Sequence, residues 1–353
     1  MVKKVDERKR RILKAIIHEH ILTAEPVGSR TLAKSYKLGI SSATIRNEMS
    51  DLEELGLIEQ PYTSAGRIPS DKGYRFYVDS LIRGEEQFPR EIDLKIQVEQ
   101  LMKDLQYKNG IENIMSHLAR MLSRITRHTS IVSEPLAPKV RIKHIQITPV
   151  DNQNYLILLI TDTGLVHNKI IKLASPLNKR QVNYLNNFFS DKICNKDLAS
   201  ITEDYLKKLS DELLGKLNIS GDILDPIHKG IVVLSSPHDF KIYLGGTSYI
   251  LDQPEFKDMD SLKKVMKILE EEELLKELFI KVPDQELVVL IGQENILEDM
   301  QKCSVVIATY FVGDSAIGRI GVIGPTRMEY PKILASVNTM SRLISQIISE
   351  LSR

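Results

Sequence analysis

The sequence predicts an α+β chain in two unequal parts. A helix–helix–turn–helix module with a two-stranded ribbon fills the first 84 residues, and a longer part mixes strands and helices irregularly. Three observations carry this. Apolar residues recur at helical spacing in four stretches before Gly84. Short strand-like segments separated by turn residues follow residue 140. The charge is also uneven: residues 1–83 carry 15 Lys and Arg against 11 Asp and Glu, whereas residues 84–353 carry 33 against 36.

Each element of the first part has a local cause. The first helix is expected from about Asp6 to Ile21, with Ile12, Leu13, Ile16 and Ile17 on one face. Glu25-Pro26-Val27-Gly28 breaks the chain, and Ser29 is expected to cap a second helix with Leu32, Ala33 and Tyr36 inward. Lys37-Leu38-Gly39-Ile40 is a turn in which Gly39 supplies a positive φ. Ser41-Ser42 offers the next cap, and the third helix, about Ala43 to Leu55, buries Ile45, Met49, Leu52 and Leu55. Gly56 ends it. Leu57–Gln60 and Arg67–Pro69 form a hairpin around Pro61–Gly66, and Ser70 caps a fourth helix carrying Tyr74, Tyr77, Val78 and Leu81. This order is that of a winged helix-turn-helix.

In the second part, residues 85–91 read as a linker. Amphipathic helices are expected at 91–106 and 111–127, and strands at 142–149, 154–161 and 165–173. Helices follow at 178–190 and 203–217, and strands at 241–250, 286–291, 303–311 and 316–323. A charged helix spans Leu262 to Phe279. A last helix starts at about Pro331, with the stripe Ile333, Val337, Met340, Leu343, Ile344, Ile347 and Leu351.

Several function classes have no support. No apolar run approaches the ~20 residues of a membrane span, and no signal-peptide pattern opens the chain, so a cytoplasmic protein is expected. Cys194 and Cys303 are too few for a disulfide framework or a cysteine zinc site. His18 and His20, two apart on a helix, face different directions. No nucleophile–base pair or metal spacing occurs, so neither enzyme nor cofactor is expected. Gly318, Gly321 and Gly324 lack phosphate-loop spacing and read as strand and turn, although an anion site near Thr326 and Arg327 stays open. The Glu270–Glu273 run reads as a solvated helix face.

A basic module on a slightly acidic body suits a DNA-binding unit attached to a regulatory one. The second helix of a helix-turn-helix lies in the major groove with its first turns against the bases. Here Ser42, Thr44, Arg46 and Asn47 are expected to face outward, and Ser41 at the start of that turn joins them as a DNA-contact candidate. Arg can donate two bonds to guanine, Asn pairs with adenine, and hydroxyls bind phosphate or base. Arg30 and Lys37 flank the preceding helix and suit phosphates. The wing, with Tyr62, Thr63 and Arg67, suits a groove or the backbone; a plain hairpin with one solvated Arg fits it equally.

The motifs Glu25-Pro26-Val27-Gly28-Ser29-Arg30, Ser42-Ala43-Thr44-Ile45-Arg46-Asn47-Glu48-Met49 and Ser64-Ala65-Gly66-Arg67-Ile68-Pro69-Ser70-Asp71-Lys72-Gly73-Tyr74-Arg75 point further. So do Gly246-Thr247-Ser248, Pro254-Glu255-Phe256, Ile291-Gly292-Gln293-Glu294-Asn295 and Gly321-Val322-Ile323-Gly324-Pro325-Thr326-Arg327-Met328-Glu329-Tyr330. With these the sequence resembles the heat-inducible transcription repressor family (HrcA) along essentially its whole length. The resemblance implies a repressor of heat-shock and chaperone operons that binds an inverted-repeat operator as a homodimer and is kept active by the GroE chaperonin. It also implies a GAF-like domain with an inserted dimerisation domain. The expected division is 1–84 for the winged helix, 91–135 with 237–353 for the GAF-like part, and 136–236 for the insertion. Within the insertion, the helices Val182–Phe189 and Tyr205–Leu217 are the expected dimer surface. A metabolite-sensing winged-helix regulator with a pocket in the GAF-like part is the alternative.

Overall fold

The computed structural model describes residues 5–84, 111–135, 141–162, 166–214, 221–235, 240–283, 285–312 and 315–351. The expected linker at 85–91 and helix at 91–106 lie outside the described residues.

Helix α1 (Glu7–Thr23) begins at Asp6, whose carboxylate accepts the Lys9 N–H at 2.8 Å, and buries Ile12, Leu13, Ile16 and Ile17. Helix α2 (Ser29–Ser35) departs from expectation. Gly28 is its N-cap residue and Ser29 its first helical residue, with no side-chain cap. Only Leu32 is buried; Ala33 is exposed and Tyr36 lies past the end. Tyr36 is half-buried and still packs on the same core from just past the helix end. Gly39 turns the chain at φ +72°. Helix α3 (Ser42–Glu54) is capped by Ser41, whose hydroxyl accepts the Thr44 N–H at 3.1 Å, and buries Ile45, Met49 and Leu52.

Strands β1 (Ile58–Glu59) and β2 (Ile68–Pro69) pair antiparallel. Val27 joins this ribbon through two 2.9 Å backbone bonds with Arg67. A Cβ at Gly66 would fall 2.5 Å from the Val27 carbonyl oxygen, so only glycine lets the two segments close. Helix α4 (Asp71–Ile82), capped by Ser70, completes the winged helix.

The body is built on a five-stranded antiparallel sheet in the order β7-β3-β10-β9-β8. Its strands are β3 (Thr129–Ser133), β7 (Ile242–Gly245), β8 (Leu287–Ile291), β9 (Cys303–Val312) and β10 (Ser315–Pro325). Val132, Val306, Ala308 and Val322 turn to one side, against α5 (Ile111–Thr126) and α11 (Tyr330–Leu351). Ile131, Val305, Ile307 and Ile323 turn to the other, against α9 (Met259–Glu270) and α10 (Glu272–Lys281). Two expectations are corrected here. The expected strand 241–250 stops at Gly245, because Gly246 sits at φ +65° and a 3-10 turn follows. The single helix 262–279 is two helices, broken at Glu271, whose φ −90° and ψ 97° are extended.

Between neighbouring strands β3 and β7 the chain leaves to form a separate unit. Its sheet β4-β5-β6 consists of β4 (Ile142–Pro149), β5 (Asn154–Thr161) and β6 (Val166–Lys172). Helices α6 (Lys179–Ile193), α7 (Glu203–Leu214) and α8 (Gly221–Ser235) complete it. Ile145, Ile147, Tyr155, Ile157, Leu159, Leu185, Phe189, Leu206, Leu213 and Ile227 belong to a core of its own. By contrast, one apolar cluster runs unbroken from Ile12 of α1 through Tyr74 and Tyr330 to Ile344 of α11, so winged helix and body share a core.

Candidate nucleic-acid interface

The outer side of α3 follows from its inner side. With Ile45, Met49 and Leu52 buried, Ala43, Arg46, Asn47 and Ser50 point to solvent. Arg46 and Asn47 make no side-chain hydrogen bond or ion pair among the described residues. Ser42 is half-buried. Ser41 and Thr44 are spent partly on each other, with their hydroxyls 3.0 Å apart.

Glu48, Asp51 and Glu53 of α3 are neutralised inside the module. Lys9 of α1 lies 2.8 Å from Glu48 and 3.0 Å from Asp51, and hydrogen bonding to Glu48 and then Asp51 raises its pKa. The Arg67 guanidinium sits 2.8–2.9 Å from Glu53. Carboxylates that would repel a phosphate backbone are thereby paired, while the neighbouring Arg46 is left open.

Arg67 therefore stands at the base of the wing, with its side chain 23% exposed, and ties the wing to α3. The wing tip is carried by Tyr62, which is 61% exposed, and by exposed Thr63. Gln60, which the sequence did not single out, shapes this loop: its amide donates to the carbonyls of Thr63 at 2.9 Å and Ala65 at 3.0 Å. A Gln beside a Pro-led turn is the only signal that pointed to it. Arg30 and Lys37 are exposed on and just beyond α2. The arrangement offers one guanidinium, one carboxamide and hydroxyls on a protruding helix, with cations and an aromatic ring to either side. Such groups can hydrogen-bond base edges and phosphates.

Likeness to known proteins decides the family. The chain matches the family described as HrcA protein C terminal domain over residues 112–334. It is 40% identical over 348 residues to the heat-inducible transcription repressor HrcA of Thermoanaerobacter pseudethanolicus, covering 98% of each chain. To that of Pelotomaculum thermopropionicum it is 39% identical over 352 residues, covering 99% of each. The chain belongs to the heat-inducible transcription repressor HrcA family. This is a family of transcription repressors, not of enzymes. A crystal structure described only as that of a hypothetical protein shares the fold, with a TM-score of 0.62 at 22% identity over 99% of this chain and all of that one.

Three of the motifs that carry the family likeness outside the winged helix serve the joint between the two parts. Ile291–Asn295, Thr326–Tyr330 and Pro254–Phe256 meet Ser70–Arg75 where the winged helix joins the body. Arg75 bonds to both carboxylate oxygens of Glu294, one at 2.9 Å and the other shorter, and donates to the Val289 carbonyl at 2.5 Å. Arg327, which left an anion site open, is already engaged. It donates to Glu255 at 2.6 Å and to the Ile21 carbonyl at 2.6 Å, and a satisfied guanidinium has no call for an anion. His20 donates or accepts at 2.8 Å with the Tyr74 hydroxyl; burial, and then the charge of Arg327, push its pKa down to about 4. His128 is pushed to about 4 for the same two reasons.

Among the described residues no group of acidic, His or Cys side chains has metal-site geometry, and no helix is long and apolar enough to cross a membrane. Cys303 is buried, and burial raises its thiol to about 12.

Proposed function

We propose that the chain is a sequence-specific repressor that binds an inverted-repeat operator of heat-shock or chaperone genes as a homodimer, reading each half-site with α3. The observation that carries this is the pairing pattern of α3: Glu48, Asp51 and Glu53 are bound within the module while Arg46 and Asn47 stand free at the exposed amino-terminal half. Tyr62 and Thr63 would meet the flanking groove, and Arg30 and Lys37 the phosphates. Kinship with heat-inducible repressors supports the regulatory role. GroE as the factor that keeps the repressor active, the GAF-like character of the body, and the division at 1–84, 91–135 with 237–353, and 136–236 rest on the same kinship.

For the dimer surface we favour a face other than the helices 182–189 and 205–217. Val182, Leu185, Phe188 and Phe189 of α6, and Leu206, Leu209 and Leu213 of α7, are consumed by their own core. The β4-β5-β6 sheet instead leaves its outer face uncovered. Leu156, Leu158 and Ile160 alternate with the buried residues of β5, beside Ile170 and Val166 of β6, which are 61% and 48% exposed. Exposed apolar area of this kind marks an association surface, and a two-fold pair of such faces is self-complementary.

The test is Leu158→Glu with Ile170→Glu. Sedimentation is expected to show a monomer, with operator affinity reduced by about 10²–10⁴ through loss of avidity. A variant that remains dimeric contradicts this surface. The metabolite-sensor reading has less support: the cleft of about 570 Å³ at the joint is lined by Glu255 and Arg327, which already satisfy each other.

A further inference from the structure

We propose that the joint between winged helix and body sets the half-site spacing the protein accepts, with Arg75, Glu294 and Arg327 as specificity-determining residues remote from the DNA-reading face. The proposal rests on the dimer reading above.

The first turn of α4 is bonded in two directions at once. Toward the reading helix, the Ser70 hydroxyl donates to the Gly56 carbonyl at 2.6 Å and Lys72 Nζ to the Leu55 carbonyl at 2.9 Å, which grips the carboxyl end of α3. Toward the body, the Asp71 carboxylate accepts the Gln293 N–H at 3.1 Å, and Arg75 holds Glu294 and the Val289 carbonyl of β8. Glu294 is itself fixed, accepting the Ile291 N–H at 2.9 Å.

Two further contacts engage other elements. Arg327, anchored by Glu255, grips the last turn of α1 at the Ile21 carbonyl. The Tyr74 and Tyr330 rings lie 5.9 Å apart, both fully buried, and the Tyr330 hydroxyl is tied to Ser304 and to the Thr326 carbonyl at 2.8 Å each. Three separate contacts, one on α1 and two on α4, fix the winged helix on the body in both position and orientation. Neighbouring domains move freely unless their interface is large and apolar; here the apolar core passes straight through.

Rigidity of this kind has a consequence on DNA. Each added base pair displaces a half-site by about 3.4 Å and rotates it by about 35°, since one turn takes 10–10.5 base pairs. Play between each reading helix and its own body is thereby removed, which narrows the spacings that a dimer can follow. Helices on a loose joint can follow several.

The experiment measures affinity of the full-length protein for operators whose half-sites are moved apart or together by one and two base pairs, and for an isolated half-site. The variants are Arg75→Met and, from the other side of the joint, Arg327→Met, each checked for a native melt. Wild type is expected to lose roughly 10-fold or more at two base pairs from the optimum, if each misplaced contact costs what a mismatched pair does. Either variant is expected to flatten that profile while its half-site affinity stays unchanged. Two folded variants that keep the wild-type spacing profile overturn the proposal. Sedimentation separates it from the dimer reading: a monomeric wild type at binding concentrations removes the dimer, and the spacing proposal with it. A dimeric wild type indifferent to spacing overturns the spacing proposal alone.

Discussion

The winged helix and the inserted unit are both attached to the central sheet's part of the chain, but in opposite ways. The winged helix gives up its own boundary: Tyr74 of α4 packs on Tyr330 of α11, and one apolar cluster spans both. The unit at 141–235 keeps a complete core of its own, from Ile142 to Ile231, and leaves an apolar sheet face unused. The difference teaches where coupling can pass. A change in the body must reach α3 through packed side chains and charged bonds, whereas a change in the inserted unit can stay within its own core.

The largest break of this contrast comes from Tyr74→Ala. Removing a buried aromatic costs about 3–5 kcal/mol. Hydrogen exchange on the intact chain is expected to show protection falling together in residues 5–84 and in α11, with 141–235 unchanged. Equal loss in the inserted unit would mean that its core is not independent.

Acid sharpens the same contrast. His20 and His128 flank the joint at folded pKa values near 4, below the ordinary 6.5. Between those values the unfolded chain binds more protons than the folded one, so their contribution is fully present above pH 6.5 and is lost as pH falls toward 4. His20 faces the Tyr74 hydroxyl, Arg327 and Glu255, and the nearby Arg327 opposes its protonation. Melts from pH 7 to 4.5 are expected to lose stability, with early exchange at the joint. A His20→Gln variant is expected to lose less, and a variant with the wild-type slope would remove His20 from the account.

The smallest effect belongs to Arg67→Ala. Its guanidinium is spent on Glu53, so operator affinity is expected to fall by no more than about 1 kcal/mol, the range of a surface ion pair. The slope of log affinity against log salt is expected to stay unchanged. A slope lower by about one counterion would return Arg67 to the DNA.

What the sequence made legible was local. The caps at Ser41 and Ser70, the turn at Gly39 and the β4, β5 and β6 hairpins follow from nearest-neighbour chemistry, although the same chemistry misplaces a cap at Ser29. What it hid depends on contacts far along the chain. Strand β3, Thr-Ser-Ile-Val-Ser, is buried on both faces and so shows no alternation. Helix α8 carries Pro226, which argues against a helix until its neighbours pack on it. In the candidate site, the outward side of α3 was visible from its spacing, but the Glu53 partner of Arg67 was not. Arg75, Glu294 and Arg327 were visible as motif residues, yet their meeting across more than 200 residues of sequence was not.

Base reading by Arg46 and Asn47 of α3 is tested most directly by the affinity of Arg46→Ala and Asn47→Ala for operator and for scrambled duplex at one salt concentration. Each variant is expected to lose about 1–3 kcal/mol of discrimination, with binding to the scrambled duplex nearly preserved. Equal losses on both duplexes would contradict base reading and reduce the two residues to phosphate contacts.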